Sequence, residues 1–528
     1  MVNPGESTAF PPALRGLLGP AAYPHPVATI ELVETHVSWV LLTGSYAYKI
    51  KRPVRYPFTD QSSAERRSFL CSEELRLNRR FAPELYLDVC DVRQRDGAAF
   101  MGGSGQLLEQ AVRMLQFERR QELDRLVGEK ALAAGELRAF GRSLARIHAG
   151  LPLAPSASEW GRPENVRALL LRNLAEYRLA LGQQRSEYTG ISALQSSVDA
   201  LAHTLAPWMS SRREGGHVRE CHGDLHTCNV VRHGGELLAF DSLEFEPEFR
   251  WIDVAQEVAF LNADLRARGA PEQAQQFLDG YLVESGDFGI LRFLDLYRAH
   301  GALVRAKVAA LDASLGAMLE AYLGAAHSAL TSRRKMLVLM CGLSGSGKTW
   351  IAAQLAMLLD GIHLRSDIER KRLAGIGERE SSRAGVGEGI YKAEDSVRLY
   401  AHLARAAGAA LGGGQSVVVD ASFGQRTDRA DFRQLAMELG VECSVVYCHA
   451  PPEILRTRIA ARQVQGTDAS EADFAVLAWQ QQRFDPPTAE EGLAVIDVDN
   501  SVDTQGLPER IARGCGVSSR VKLPGASC

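Results

Sequence analysis

Residues Gly342 to Trp350 read GLSGSGKTW. Every fixed position of Gly-x-x-x-x-Gly-Lys-Thr is filled, ending in Gly347, Lys348 and Thr349. The apolar run KMLVLMC precedes it and the helical pattern WIAAQLAMLL follows, so motif and context agree on strand, turn and helix. The glycines let the backbone N–H groups of Gly342 and of Ser344 through Gly347 converge on phosphate oxygens, and the following helix adds its positive end. Lys348 is placed for β/γ-phosphates and Thr349 for Mg²⁺.

Downstream, strand and helix patterns alternate through SVVVDAS and CSVVYCHA, which predicts a parallel sheet with helices on both faces. In HLRSDIERKRL, Asp367 follows a strand and faces the crevice at the strand's carboxyl end. Arg370 lies three residues on, and the pair can orient and deprotonate an acceptor hydroxyl. Asp420 ends another strand, suited to magnesium or its water. After Pro451 and Pro452 comes EILRTRIAARQVQG, where Arg458 and Arg462 are four apart and share a helical face. Such arginines would neutralise charge on a transferring phosphoryl group.

Upstream lies a second phosphate-handling pattern, CHGDLHTCNVV, Cys221 to Val231. Asn229 is five positions after Asp224, and Asp241 twelve further, in LLAFDSLEF. Phosphoryl transfer of this type needs one carboxylate to take the acceptor's proton, with an amide and a second carboxylate on Mg²⁺. Val230, Val231 and Leu237 to Phe240 fit a small hairpin carrying those groups at its edges.

This pattern resembles the aminoglycoside phosphotransferase and choline kinase group of protein-kinase-like enzymes, over about 300 residues of predicted layout. The resemblance implies Asp224 as catalytic base, Asn229 and Asp241 as magnesium ligands, and His222 and His226 as loop scaffolding. It also implies that Asp253, in RWIDVAQEVAFL, braces the catalytic loop. Kinases of this kind need a strand lysine on the phosphates and a helix glutamate beside it. Lys49 in SYAYKIKRPV is the choice; Lys51 shares its strand face, and Glu73 or Glu74 is the partner, with Glu73 taken first. The glycine-rich cover loop is reduced to Gly44.

The later region resembles the small P-loop kinases: polynucleotide 5′-kinase domains, gluconate-kinase-like and zeta-toxin-like enzymes. That implies Asp367 as the acceptor-activating carboxylate, Arg370 as a substrate or phosphate contact and Arg462 as the lid arginine. The order of the two modules resembles bacterial proteins described as bifunctional aminoglycoside phosphotransferase/ATP-binding proteins. The expectation is a multidomain α+β and α/β chain, a bilobal protein-kinase-like fold followed by a P-loop NTPase parallel sheet flanked by helices. It would use ATP and Mg²⁺ at two sites and phosphorylate small-molecule hydroxyl acceptors, a nucleic-acid end being an alternative acceptor. A nucleotide-sensing kinase-like module that regulates a P-loop ATPase is the alternative of another class.

The boundaries follow the texture: a flexible lead-in over 1–25, a small lobe over 26–117 and a helical large lobe over 118–325. A linker over 326–335, a P-loop domain over 336–500 and a loose tail over 501–528 complete the chain. Bulk composition agrees with a soluble, several-domain protein: 528 residues, 46% apolar, 23% charged. A net charge of −4 gives no sign of a polyanion track, and the P-loop region is itself more acidic than basic. No apolar run approaches a membrane span, the start lacks a secretory pattern, and nine scattered cysteines without zinc spacing suggest reduced thiols in a cytoplasmic protein.

Overall fold

The computed structural model describes residues 10–56, 59–182, 190–331, 333–378, 380, 382, 390, 392–465, 470–501 and 506–516. The chain divides into two compact units: Met1–Ala270 with His300–Ala326, and Pro271–Ala299 with His327–Cys528.

The first unit opens with a six-stranded antiparallel sheet. Its strands are β1 (Glu31–Glu34), β2 (Ser38–Leu42), β3 (Tyr46–Lys51), β6 (Tyr86–Arg95), β7 (Ala98–Met101) and β8 (Gln106–Leu115), in the order β1-β2-β3-β8-β6-β7. A two-residue ribbon, β4 (Arg55–Tyr56) with β5 (Thr59–Asp60), follows β3. Alternation decides the faces: Tyr48 and Ile50 of β3 bury with Trp39 and Leu41, whereas Ala47 joins the cluster beneath the helix Ala64–Asn78. The turn between β2 and β3 needs φ 93° at Gly44, a conformation glycine adopts without strain.

Residues 10–25 are packed, which corrects the expectation of a loose lead-in. Short 3-10 turns at Pro12–Leu18 and Pro20–Ala22 bury Phe10, Leu14, Leu17, Ala22 and Tyr23 against Trp39. Their apolar residues are spaced as a turn buries them, a signal that the high proline and glycine content obscured. Residues 1–9 lie outside the described residues.

The helical part of the first unit carries two small antiparallel pairs. One is β9 (Val218–Glu220) with β12 (Trp251–Asp253), and the other β10 (Val230–His233) with β11 (Glu236–Ala239). The segment 221–229 runs from β9 to β10, so both of its ends are tied to pairs.

The second unit is a five-stranded all-parallel sheet in the order β14-β15-β13-β16-β17. Its strands are β13 (Met336–Cys341), β14 (Ile362–Arg365), β15 (Val417–Asp420), β16 (Glu442–His449) and β17 (Ala494–Asp499). All six residues of β13 are buried, as a central parallel strand requires. Residues 271–299 pack within this unit. Gln275 Nε2 donates to the Gly361 carbonyl at 2.7 Å, and Gln415 Nε2 to Asp295 at 3.1 Å.

Part of the expected loose tail is a helix, Leu507–Gly514, whose Leu507, Ile511 and Ala512 bury among Met336, Val338 and Ile351. Residues 517–528 lie outside the described residues. In place of a free linker, the helix Leu319–Leu330 covers much of 326–335.

Candidate active sites

The first site is built where β9 ends. His222 is buried, its Nε2 2.8 Å from the Phe240 carbonyl and its ring edge-on to Phe81. The Gly223 N–H donates to Glu257 at 2.9 Å, and the other Glu257 oxygen lies 3.0 Å from His148 Nε2. Thr227 donates its N–H and hydroxyl to Asp264 at 2.9 and 2.6 Å. Two buried acids on the helix Val254–Ala267 therefore hold the backbone of the loop.

That scaffold presents Asp224, whose carboxylate remains partly exposed at 29%. The Asn229 amide donates to the Asp224 carbonyl at 2.9 Å and to its carboxylate at 3.2 Å, leaving the amide oxygen for a cation. His226 Nε2 lies 3.4 Å from the same carboxylate. Burial and Arg305 oppose a charge on His226, yet Asp224 overrides them and its pKa is pushed up to about 9.

Asp241 follows β11 at φ 63°, a left-handed conformation that aspartate tolerates better than most residues. Its N–H donates to the Tyr86 hydroxyl at 3.0 Å, and its carboxylate pairs with Lys49. Burial opposes the charge on Asp241, but Lys49 holds its pKa below the usual carboxylate range. The Asp241 side chain is 43% exposed, so one edge faces solvent while the other meets Lys49.

Lys49 also reaches Glu74 at 2.9 Å. Lys51, buried on the same strand face, pairs with Glu74 and Glu244. Glu74 rather than Glu73 is thus the helix glutamate, correcting the first choice. On the helix Ala64–Asn78, position 74 points at the sheet and is fully buried. Position 73 is about 100° around the helix. There Glu73 pairs with Arg76 at 2.7 Å, with Arg250 at 3.8 Å.

Among the described residues Asp253 makes no hydrogen bond or ion pair to the loop. It caps the helix Val254–Ala267, accepting the Ala255 N–H at 2.8 Å, and binds Arg212 bidentately at 2.6 and 2.8 Å. Glu257, one turn further, holds Gly223 in its place. An acid inside the apolar run VAQEVAFL was the available signal. The Gly44 N–H donates to Gln116 Oε1 at 2.8 Å.

The second site surrounds the loop after β13. Gly342, Gly345 and Gly347 have φ of 142°, 84° and 86°. A Cβ would meet the Cys448 carbonyl at 2.1 Å at Gly342, the Leu455 carbonyl at 2.8 Å at Gly345, and Asn500 Nδ2 at 2.1 Å at Gly347. Only glycine fits this cradle. The Ser344 N–H donates to Gln480 Oε1 at 2.9 Å, and Ser346 Oγ is buried without a partner. The helix Lys348–Leu358 starts directly behind the loop, with Thr349 in its first turn. Lys348 Nζ is folded back to the Leu343 carbonyl at 2.8 Å. An orphaned hydroxyl in a glycine cradle at a helix N-terminus fits a phosphate group.

Asp420 ends β15 and lies 3.3 Å from His363 Nε2. Burial opposes its charge, but His363 first and then Lys348 hold its pKa below the usual range. Thus Asp420 shares the field of the loop lysine. Asp367 sits half-buried in the first turn of the helix Ser366–Leu373, just after β14. Arg370 donates to the Ile390 carbonyl at 2.9 Å.

The two arginines of the helix Pro452–Gln465 separate. Arg458 donates to the Gly345 carbonyl at 3.4 Å and to the Asn500 carbonyl at 2.8 Å. Arg462 is used on the Ala472 carbonyl at 2.6 Å, so in this structure Arg458, not Arg462, reaches the loop. Asn500, which the sequence reading missed, clamps the loop by donating to the Ser346 carbonyl at 2.8 Å. It follows β17, a strand that the sequence reading did not pick out.

Comparison with known proteins agrees with both halves. Residues 65–294 match the phosphotransferase enzyme family APH, and residues 337–487 match an AAA domain family, AAA_33. The uncharacterized protein Rv2004c of Mycobacterium tuberculosis (strain ATCC 25618 / H37Rv) is 30% identical over 494 residues, which is 92% of this chain and 95% of that protein. The uncharacterized protein Mb2027c of Mycobacterium bovis matches to the same extent. Among solved structures, a choline/ethanolamine kinase family protein from Mesorhizobium loti is 11% identical, covering 57% of this chain and 93% of that one at a TM-score of 0.33. A gluconokinase from Sinorhizobium meliloti 1021 is 19% identical, covering 35% of this chain and 94% of that one at a TM-score of 0.26. Among the described residues no helix is long and apolar enough to cross a membrane.

Proposed function

We propose that this chain, which belongs to one family with the full-length mycobacterial relatives and joins an APH phosphotransferase domain to a P-loop kinase-like domain, transfers phosphoryl groups from ATP in two separate clefts. The reading is supported by two groupings of candidate phosphate-handling residues, one in each unit. In the first, Asp224, Asn229, Asp241 and Lys49 converge through direct contacts and shared scaffolding. In the second, the glycine cradle, Lys348 and Asp420 share one crevice.

In the first cleft the acceptor hydroxyl oxygen attacks the γ-phosphorus. The new O–P bond forms as the β–γ bridging bond breaks, ADP leaves and the hydroxyl proton passes to Asp224. Lys49, held by Glu74, binds the phosphates. Magnesium, when bound, neutralises phosphate charge, and Asn229 with Asp241 would hold it in the first cleft, Thr349 with Asp420 in the second. In the second cleft Asp367 is placed at a strand end to orient an acceptor hydroxyl, and Arg458 brings positive charge to the loop. A small hydroxyl compound is the acceptor class for both.

The test uses the full-length chain with labelled ATP and a panel of sugars, small alcohols, aminoglycosides and 5′-hydroxyl oligonucleotides. Products lost with Asp224→Asn belong to the first cleft and those lost with Lys348→Ala to the second. Turnover that neither substitution touches would contradict the reading, and turnover touched only by Lys348→Ala would favour a regulatory first unit.

A further inference from the structure

One buried cation on the scaffold that holds the Asp224 loop has no task in the mechanism above. Arg305 lies on the helix Leu294–Leu311 and is only 8% exposed. Its Nε has no hydrogen-bond partner. Its guanidinium stacks over the Tyr322 ring at 5.9 Å. The Tyr322 hydroxyl in turn donates to Asp264 at 2.5 Å, and Asp264 holds Thr227 of the catalytic loop. Arg305 is therefore fixed to the same scaffold that positions Asp224.

Asp264, the acid on that scaffold, has other employment. Asp264 already accepts from the Thr227 N–H and hydroxyl, from Tyr322 and from Arg268 at 3.2 Å. Burial opposes the charge on Arg305, and Asp224 is the first of the carboxylates that sustain it, ahead of Asp264. A buried guanidinium with an unused donor is costly unless an anion completes it. A polycationic acceptor would meet this fixed positive charge on the scaffold of the catalytic loop, and like charges at close range in a partly dry cleft repel strongly.

We propose that the acceptor of the first cleft carries an anionic group, a carboxylate or a phosphate monoester, near the hydroxyl that is phosphorylated, and that Arg305 binds it. This rests on the reading of the first cleft as a phosphotransferase site. Hydroxy acids and sugar phosphates have this chemistry; aminoglycosides do not. Arginine suits the task because its planar fork matches either oxyanion.

The experiment uses the full-length chain carrying Lys348→Ala, so that the second cleft is silent. Label transfer from ATP is measured to glycerate and glucose 6-phosphate, to glycerol and glucose, and to kanamycin. The expected result is kcat/KM at least tenfold higher for an anionic acceptor than for its neutral counterpart. Arg305→Met should raise KM for that acceptor at least tenfold with KM for ATP unchanged, and Arg305→Lys should restore part of the loss. Preferred labelling of kanamycin or of a neutral acceptor overturns the inference, as does an unchanged acceptor KM in a folded Arg305→Met variant. ATP binding at the first cleft with none of the anionic acceptors labelled also overturns it, while leaving the phosphotransferase reading intact. Absence of ATP binding at that cleft overturns the phosphotransferase reading itself.

Discussion

The Glu257 carboxylate accepts the Gly223 N–H at 2.9 Å and faces His148 Nε2 at 3.0 Å with its second oxygen. The peptide between His222 and Asp224 is thereby anchored from a packed helix, and Gly223 must hold φ 88° to stay there. A Cβ at that glycine would meet the Phe249 carbonyl at 2.9 Å. This contact fixes the backbone of the proposed base, while Asn229 holds its carboxylate at 3.2 Å.

Glu257→Ala strands the part-buried Gly223 N–H and removes the carboxylate that faces His148. Removing one partner of such a buried arrangement costs about 3 kcal/mol. The unfolding midpoint of the first unit should fall accordingly in chemical denaturation, with a parallel loss of first-cleft turnover. Glu257→Gln, which keeps an acceptor for Gly223, should cost less than half as much. Equal losses in the two variants would show that the carboxylate is not acting as this anchor.

Glu74 and Glu73 should behave differently although they are neighbours. Glu74→Gln disturbs the chain of ion pairs with Lys49, Lys51 and Glu244, in which Glu74 itself is fully buried, and should raise KM for ATP at the first cleft at least tenfold. Glu73→Gln breaks a partly exposed pair with Arg76, worth at most about 1 kcal/mol, and should leave that KM within twofold. Steady-state kinetics on the Lys348→Ala background separates them. Lys49→Met should follow Glu74→Gln.

Glu220 gives the first unit an acid limit. Burial opposes its charge, but Arg76, Arg80 and Arg250 outweigh this and hold its pKa down to about 2. The folded pKa is below the unfolded value of about 4.5, so the stabilisation is fully present above that value. It is lost as pH falls toward 2 and amounts to about 2–3 kcal/mol at most. Glu220→Gln should lower stability at pH 7 and flatten its decline between pH 5 and 3, followed by denaturant titration at each pH. An unchanged slope would remove Glu220 from the account.

Much of the fold was legible because local pattern and global topology agree. The strand, glycine loop and helix from Met336 to Leu358 announce themselves, and the two apolar runs that follow Asn229 form the expected hairpin of β10 and β11. What stayed hidden depends on rotation and long range. Glu73 and Glu74 differ by one helical step, which sequence cannot orient without knowing the buried face. Arg458 and Arg462 share a face, yet only contact with Gly345 or Ala472 tells them apart. Glu257, Asp264, Arg305 and Asn500 act on residues 34 or more positions away, where spacing carries no information.

Asn500 offers a test of the second cleft that spares its lysine. Its amide spans to the Ser346 carbonyl, and its own carbonyl accepts from Arg458. Asn500→Ala should weaken nucleotide binding by the second unit five- to tenfold while first-cleft transfer continues, measured by calorimetric titration. Gly342→Ala, which drives a Cβ into the Cys448 carbonyl, should destabilise the second unit outright.

The most direct measurement compares full-length Asp224→Asn, Lys348→Ala and the double variant for label transfer from ATP to the acceptor panel. The account predicts that each single variant loses a different set of labelled products, by at least a hundredfold, and that the double variant loses both. If Asp224→Asn left every product at its original rate, or if Lys348→Ala abolished all of them, the claim of two independent phosphotransfer clefts would be wrong.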